Sequence, residues 1–135
     1  MSVGLVLVSH SGRLAEGVRE LAEQVAQGAV PMAAVGGAVD GSLGTNALAI
    51  LSAVEAMAAG PGVAGVLILM DLGSAVLSAE TALEQLPEET RALVRMVDAP
   101  FVEGAVAAAV EASLGSDPGA VAAAAEAARV QPKLG

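Results

Sequence analysis

The reading of the fold starts from Val63–Ser74, VAGVLILMDLGS. Eight residues form a nearly continuous apolar run, and the next four are polar or small. A short run without polar alternation suits a strand buried on both faces, as in a parallel sheet. Val3–Ser9, VGLVLVS, has the same character and leads into His10-Ser11-Gly12. A third apolar run, Val30–Val35, ends in Gly36-Gly37, and a fourth strand is expected over Ala92–Val97, where Arg91 and Arg95 interrupt the apolar pattern.

Between these runs the period changes from strand to helix. From Arg13 to Gln27, Leu14, Val18, Leu21, Ala22 and Val25 share one helical face, while Glu16, Arg19, Glu20 and Glu23 share the other. Gly28 is a natural stop. Thr45 is expected to cap a second helix whose inner face carries Leu48, Leu51 and Val54, and Gly60–Gly62 breaks it. A third helix runs to about Leu86, before Pro87. Val102, Ala105, Val106, Ala109 and Val110 recur at helical spacing between Pro100 and about Leu114, and an Ala-rich helix spans Pro118 to Arg129. Strands alternating with helices predict an α/β layer fold with a mostly parallel sheet and right-handed crossovers. With 135 residues and no linker or repeat, the expectation is one domain, 1–135, with a tail that frays from about residue 130.

Composition removes whole classes of function. The chain is 55% hydrophobic with 16% charged residues, enough to bury a core, yet it holds one Phe and no Trp or Tyr. A net charge of −9 and so little stacking surface argue against nucleic acid and against anionic membranes. Zero cysteines exclude disulfides, thiolate metal sites and thiol nucleophiles. A single histidine excludes multi-histidine metal sites, so no metal or cofactor is expected. The N-terminus lacks a basic signal-peptide region, and the longest apolar stretch, Ala56–Met70, is too short and too interrupted to span a bilayer; a cytoplasmic protein is the expectation.

In open parallel sheets, ligands sit beyond the carboxyl ends of the strands. Three strand exits carry polar or glycine-rich loops: Ser9–Gly12, Gly36–Thr45 and Asp71–Ser74. Each opens a helix with free N–H groups, so the shared edge favours anions. The only histidine stands there. His10 can act as a general acid or base, or as a nucleophile that carries a phosphoryl group. The neighbours fit the second better. Ser11, Gly12 and the first helical turn offer donors to phosphoryl oxygens, with Gly37, Thr45 and Ser74 as further phosphate-binding candidates. Asp71 suits two roles: it can accept the other ring N–H and fix the tautomer, or it can cap helix three. Asp40 reads as a turn residue and Arg13 as a solvated helix residue. No glycine-rich run ends in Gly-Lys-Ser/Thr, which excludes a Walker-type ATP site.

Four motifs occur in order: GLVLVSHSGRLAEG at Gly4–Gly17, GGAVDGSLGTN at Gly36–Asn46, DLGSA at Asp71–Ala75 and APFVEGAV at Ala99–Val106. In these the chain resembles the phosphoryl-carrier (DhaM-type) subunits of the phosphotransferase-system (PTS)-dependent dihydroxyacetone kinase, related to mannose-family IIA domains, from Val3 to about Leu114. The resemblance implies a three-layer α/β/α fold, a homodimer, and a relay. The histidine carrier protein HPr phosphorylates His10, on Nε2. His10 passes the group to ADP on a separate nucleotide-binding subunit, and the ATP formed phosphorylates dihydroxyacetone held on a third subunit. Asp71 matches the family aspartate that orients the histidine.

Three other readings compete. A mannose-family sugar-transport IIA domain would feed a IIB protein with the same chemistry, but such domains usually read Asp-Leu-Phe-Gly-Gly-Ser-Pro where this chain has DLGSA. A small tetrapyrrole metal chelatase begins with a turn similar to HSGR, but generally uses a second histidine. A receiver-like regulatory domain would need an acidic pair after the first strand and a lysine in place, and the only lysine is Lys133 in the tail.

Overall fold

A computed structural model describes residues 2–135. It contains one four-stranded sheet, wholly parallel, in the order β2-β1-β3-β4. The strands are β1 (Ser2–Ser9), β2 (Met32–Gly36), β3 (Val63–Met70) and β4 (Val94–Met96). The helices are α1 (Gly12–Ala26), α2 (Ala47–Ala58), α3 (Gly73–Glu84), α4 (Glu88–Arg91), α5 (Phe101–Ser113) and α6 (Pro118–Ala127), with a 3-10 turn at Ala128–Val130. The short α4, before the edge strand, is absent from the sequence expectations; its four residues are too few to show a helical period.

The chain steps one way from β1 to β2, then the other way to β3 and β4. Right-handed crossovers require that reversal to send the helices to opposite faces. The core divides accordingly. Leu5, Leu7, Leu67 and Leu69 point to a face covered by α1, α5 and α6; Val6, Val8, Val66 and Ile68 point to a face covered by α2 and α3. All eight are at most 1% exposed. Burying such side chains contributes roughly 1.5–3 kcal/mol apiece. The result is an α/β fold of three layers, as expected.

Alanine decides which helix faces turn inward. α1 buries Ala15, Val18, Ala22 and Ala26, while Leu14, Leu21 and Val25 remain 42–52% exposed. Periodicity groups those three with Val18 and Ala22 on one apolar face, and packing turns only part of that face inward. Small residues let a helix approach its neighbours closely, so the larger side chains move to the flank. The same correction holds in α2, which buries Ile50 and Val54 and leaves Leu48 exposed. A close approach is also visible at Gly65 of β3, where a Cβ would lie 2.7 Å from Cγ of Pro118 in α6.

Helix termini follow local chemistry. Ser11 caps α1, its side chain accepting from Leu14 N–H. Asn46, not Thr45, caps α2, accepting from Leu48 and Ala49 N–H. α1 ends at Gln27, itself left-handed at φ 51°, one residue before the expected stop at Gly28. In the tail, Lys133 reaches Glu103 of α5 at 2.5 Å.

Candidate functional site

β1 and β3 are the neighbours between which the crossover direction reverses. The chain leaves β1 over one face and β3 over the other, which opens a crevice at their carboxyl ends. His10 follows β1 and Asp71 follows β3, so the topology brings together two residues 61 apart in sequence. The Asp71 N–H extends the ladder to the Val8 carbonyl at 3.1 Å, which sets the carboxylate level with the histidine turn.

The Asp71 side chain is 8% exposed and accepts four hydrogen bonds. Oδ1 accepts from His10 Nδ1 at 2.9 Å and from Leu72 N–H at 2.7 Å. Oδ2 accepts from Ser9 Oγ at 2.9 Å and from His10 N–H at 3.0 Å. Burial raises the pKa of this carboxyl, but the donors from His10, Ser9 and Leu72 together outweigh it and hold it below the ordinary aspartate value. An ionised carboxylate only accepts, so Nδ1 carries the ring hydrogen. In the neutral ring that leaves the lone pair on Nε2, where the Ser74 hydroxyl stands 2.7 Å away and donates. The imidazole is 24% exposed; its Nδ1 contact with Asp71 is half-buried and its Nε2 contact with Ser74 is exposed.

Ser9 was missed by the sequence reading. Among the described residues it is the sole buried polar residue, and its hydroxyl serves in both roles: it donates to Asp71 and accepts from Ser11 N–H at 3.0 Å. It ties the carboxylate to the turn that carries His10. The available signal was a lone hydroxyl closing an otherwise apolar strand.

The other candidates fall in two groups. Ser11, Gly12 and Gly37 line a surface cavity of about 540 Å³ with His10, Arg13 and Leu43. Gly37 adopts φ 88° there, a left-handed conformation that glycine accepts without penalty. Ser74, second residue of α3, is not among the cavity-lining residues and meets the ring at Nε2. Thr45 is not among the cavity-lining residues; its hydroxyl pairs with Ser78 of α3 at 2.5 Å. The loop after β2 reaches the histidine through its backbone, Gly44 N–H donating to the His10 carbonyl at 2.9 Å. As for the two roles open to Asp71, α3 begins at the N-cap Leu72 without a side-chain cap bond, and Asp71 faces the ring. Among the described residues no group of three or more His, Cys, Asp or Glu is placed to hold a metal ion, and no helix is long and apolar enough to cross a membrane.

Comparison with known families sets this site in context. A family model for EIIA-man, described as the PTS system fructose IIA component, matches residues 4–122. A Listeria innocua phosphoryl donor subunit DhaM of PEP-dependent dihydroxyacetone kinase 2 is 43% identical over 109 residues, which make up 81% of this chain and 85% of that protein. This chain is a DhaM-type member of the EIIA-man family. The DhaM phosphoryl donor subunit of Escherichia coli K12 is 47% identical over 118 residues, covering 85% of this chain. That match spans only 24% of the length of the Escherichia coli protein. A crystal structure of the unknown-function protein EF1359 superposes with a TM-score of 0.82 at 38% identity, covering 93% of this chain and 94% of that one.

Proposed function

We infer that the chain is a phosphohistidine carrier: His10 accepts a phosphoryl group from HPr in the cytoplasm and hands it to ADP on the nucleotide-binding subunit of dihydroxyacetone kinase. One observation carries the reading: the Nδ1–Asp71 bond leaves the lone pair of a partly exposed imidazole on Nε2, at an exposed contact with the Ser74 hydroxyl. The DhaM relatives, phosphoryl donor subunits of PEP-dependent dihydroxyacetone kinases, support the kinase as the acceptor system. In the forward step, the Nε2 lone pair attacks phosphorus and the bond to the donor's nitrogen breaks. The Nδ1 hydrogen stays shared with Asp71, which stabilises the positive ring formed in transit. The Ser74 hydroxyl turns from Nε2 to a phosphoryl oxygen as the group arrives, and Ser11 and Gly12 at the start of α1 face the same charge. Transfer onward to ADP reverses these motions. An exposed nucleophile at a sheet edge suits exchange between two docked proteins. The homodimeric state implied by the resemblance belongs to the same reading and is checked by light scattering.

The test is reconstitution from phosphoenolpyruvate, enzyme I and HPr. The wild type is expected to take up one phosphoryl group, labile to acid as a phosphohistidine is, and His10→Ala none. The phosphorylated protein is then mixed with the ADP-loaded nucleotide subunit and, separately, with a mannose-family IIB protein. ATP formation supports the kinase reading. Transfer to IIB alone replaces it with the sugar-transport reading, and label retained in His10→Ala removes both.

A further inference from the structure

The chain carries six basic residues against fifteen acidic ones, and five of the six are engaged. Arg19 pairs with Glu16 and Glu23, Arg95 with Glu126, Arg129 with Asp98 and Lys133 with Glu103; Arg91 donates to the carbonyls of Leu83 and Glu84. Among the described residues Arg13 alone has neither a carboxylate nor a carbonyl partner. It is exposed, and it lines the same cavity as His10, Ser11 and Gly12. Its place in the helix is also unfavourable: it is the second residue of α1, where the macrodipole is positive and a cation is disfavoured. A residue chosen for helix stability there would be acidic, and the first turn of α1 has no acid.

The incoming group brings two or more negative charges to a protein of net charge −9, next to the ionised Asp71. Helix N–H groups and hydroxyls offset part of that repulsion, and Arg13 is the full positive charge within the cavity. We propose that Arg13 is a charge-compensating residue of the transfer step, its guanidinium meeting the oxygens of the phosphoryl group in transit. This deepens the carrier reading and rests on it. A planar fork can take two phosphoryl oxygens at once, which an ammonium cannot.

Two small electrophiles separate this role from partner docking. Phosphoramidate delivers a charged phosphoryl group: its P–N bond breaks, the already protonated nitrogen leaves as ammonia, and Nε2 forms the new bond to phosphorus. Diethyl pyrocarbonate is neutral and carbethoxylates the same ring. Arg13→Gln is expected to slow phosphorylation by phosphoramidate roughly ten- to a hundred-fold, the worth of one charge-assisted hydrogen bond in the transition state. Carbethoxylation of His10 should proceed at the wild-type rate, and Arg13→Lys should fall between. Equal phosphoramidate rates in Arg13→Gln and wild type overturn this inference and leave the carrier reading intact. A loss seen only with HPr as donor also overturns it, making Arg13 a docking residue. A parallel loss with diethyl pyrocarbonate overturns it too, since the ring itself has then been disturbed. Failure of the wild type to accept phosphoryl groups from either donor overturns the carrier reading and this inference together.

Discussion

The crevice between β1 and β3 and the loop after β2 flank the same histidine, yet they are held in different ways. In the crevice, both oxygens of the Asp71 carboxylate and the Ser9 hydroxyl are each hydrogen-bonded twice, and the partners lie up to 62 residues away. In the loop, the bonds over residues 38–42 are local: Asp40 accepts from the backbone and side chain of Ser42, and Ala38 and Ser42 close a turn through the backbone, while Gly44 and Thr45 at its far end make the chain-distant bonds to His10 and Ser78. Val39 is 87% and Leu43 80% exposed. Chain-distant bonds orient the ring rigidly. Local ones leave the loop folded on itself, presenting Leu43 in the same cavity as the ring. The ring's inward nitrogen therefore belongs to the sheet, and its outward neighbourhood belongs to whatever docks.

Four measurements break or sharpen this contrast. The largest effect is expected from Asp71→Asn, which keeps the shape and removes the charge. Phosphoryl transfer to His10 should slow roughly ten- to a hundred-fold, as for supporting groups behind a functional histidine, while binding of HPr is unchanged. Equal rates would reduce Asp71 to a backbone anchor. Next is Gly36→Ala, where the two regions meet. Its Cβ would fall 2.6 Å from the Ser11 carbonyl oxygen and 2.8 Å from Gly12 Cα, both rigid backbone. A loss of roughly 1–3 kcal/mol in denaturant unfolding is expected, with slower transfer because the histidine turn shifts. Gly41→Ala probes the loop alone. Nothing lies within 4 Å of that Cβ, and only the φ of 86° opposes it. About 1 kcal/mol should be lost with the transfer rate unchanged; a slowed rate would show that the loop shares in orienting the ring. The smallest effect is in acid. Because the folded pKa of Asp71 lies below its ordinary 3.8, the stability it contributes is complete above that value. That contribution is lost as pH falls through the lower folded value. Below pH 3.8 the stability of Asp71→Asn should therefore depend less steeply on pH than that of the wild type, and parallel acid curves would count against the bond network.

Much of this arrangement was legible before the structure because strand runs and glycine punctuation are one-dimensional signals. Val3–Ser9 and Val63–Met70 declare themselves by unbroken apolar character, and their order with intervening helices implies a shared edge. His10 and Asp71 follow from that edge. What escaped depends on three-dimensional fit. Periodicity favoured Leu14, Leu21 and Leu48 as inner residues because hydrophobicity scales rank leucine above alanine, whereas close helix packing selects the smaller side chain. Thr45 and Asn46 are adjacent cap formers, and composition does not decide which one starts the helix. Ser9 was read as the end of a strand, because a buried hydroxyl is recognised only once its partners are in place.

The imidazole and the carboxylate that holds it arrive from strands separated by more than sixty positions. A ribosome-bound chain that has emerged only as far as α2 possesses His10 but not the carboxylate that aims it. On the carrier reading proposed above, full competence to be charged is acquired late, when β3 slots in beside β1.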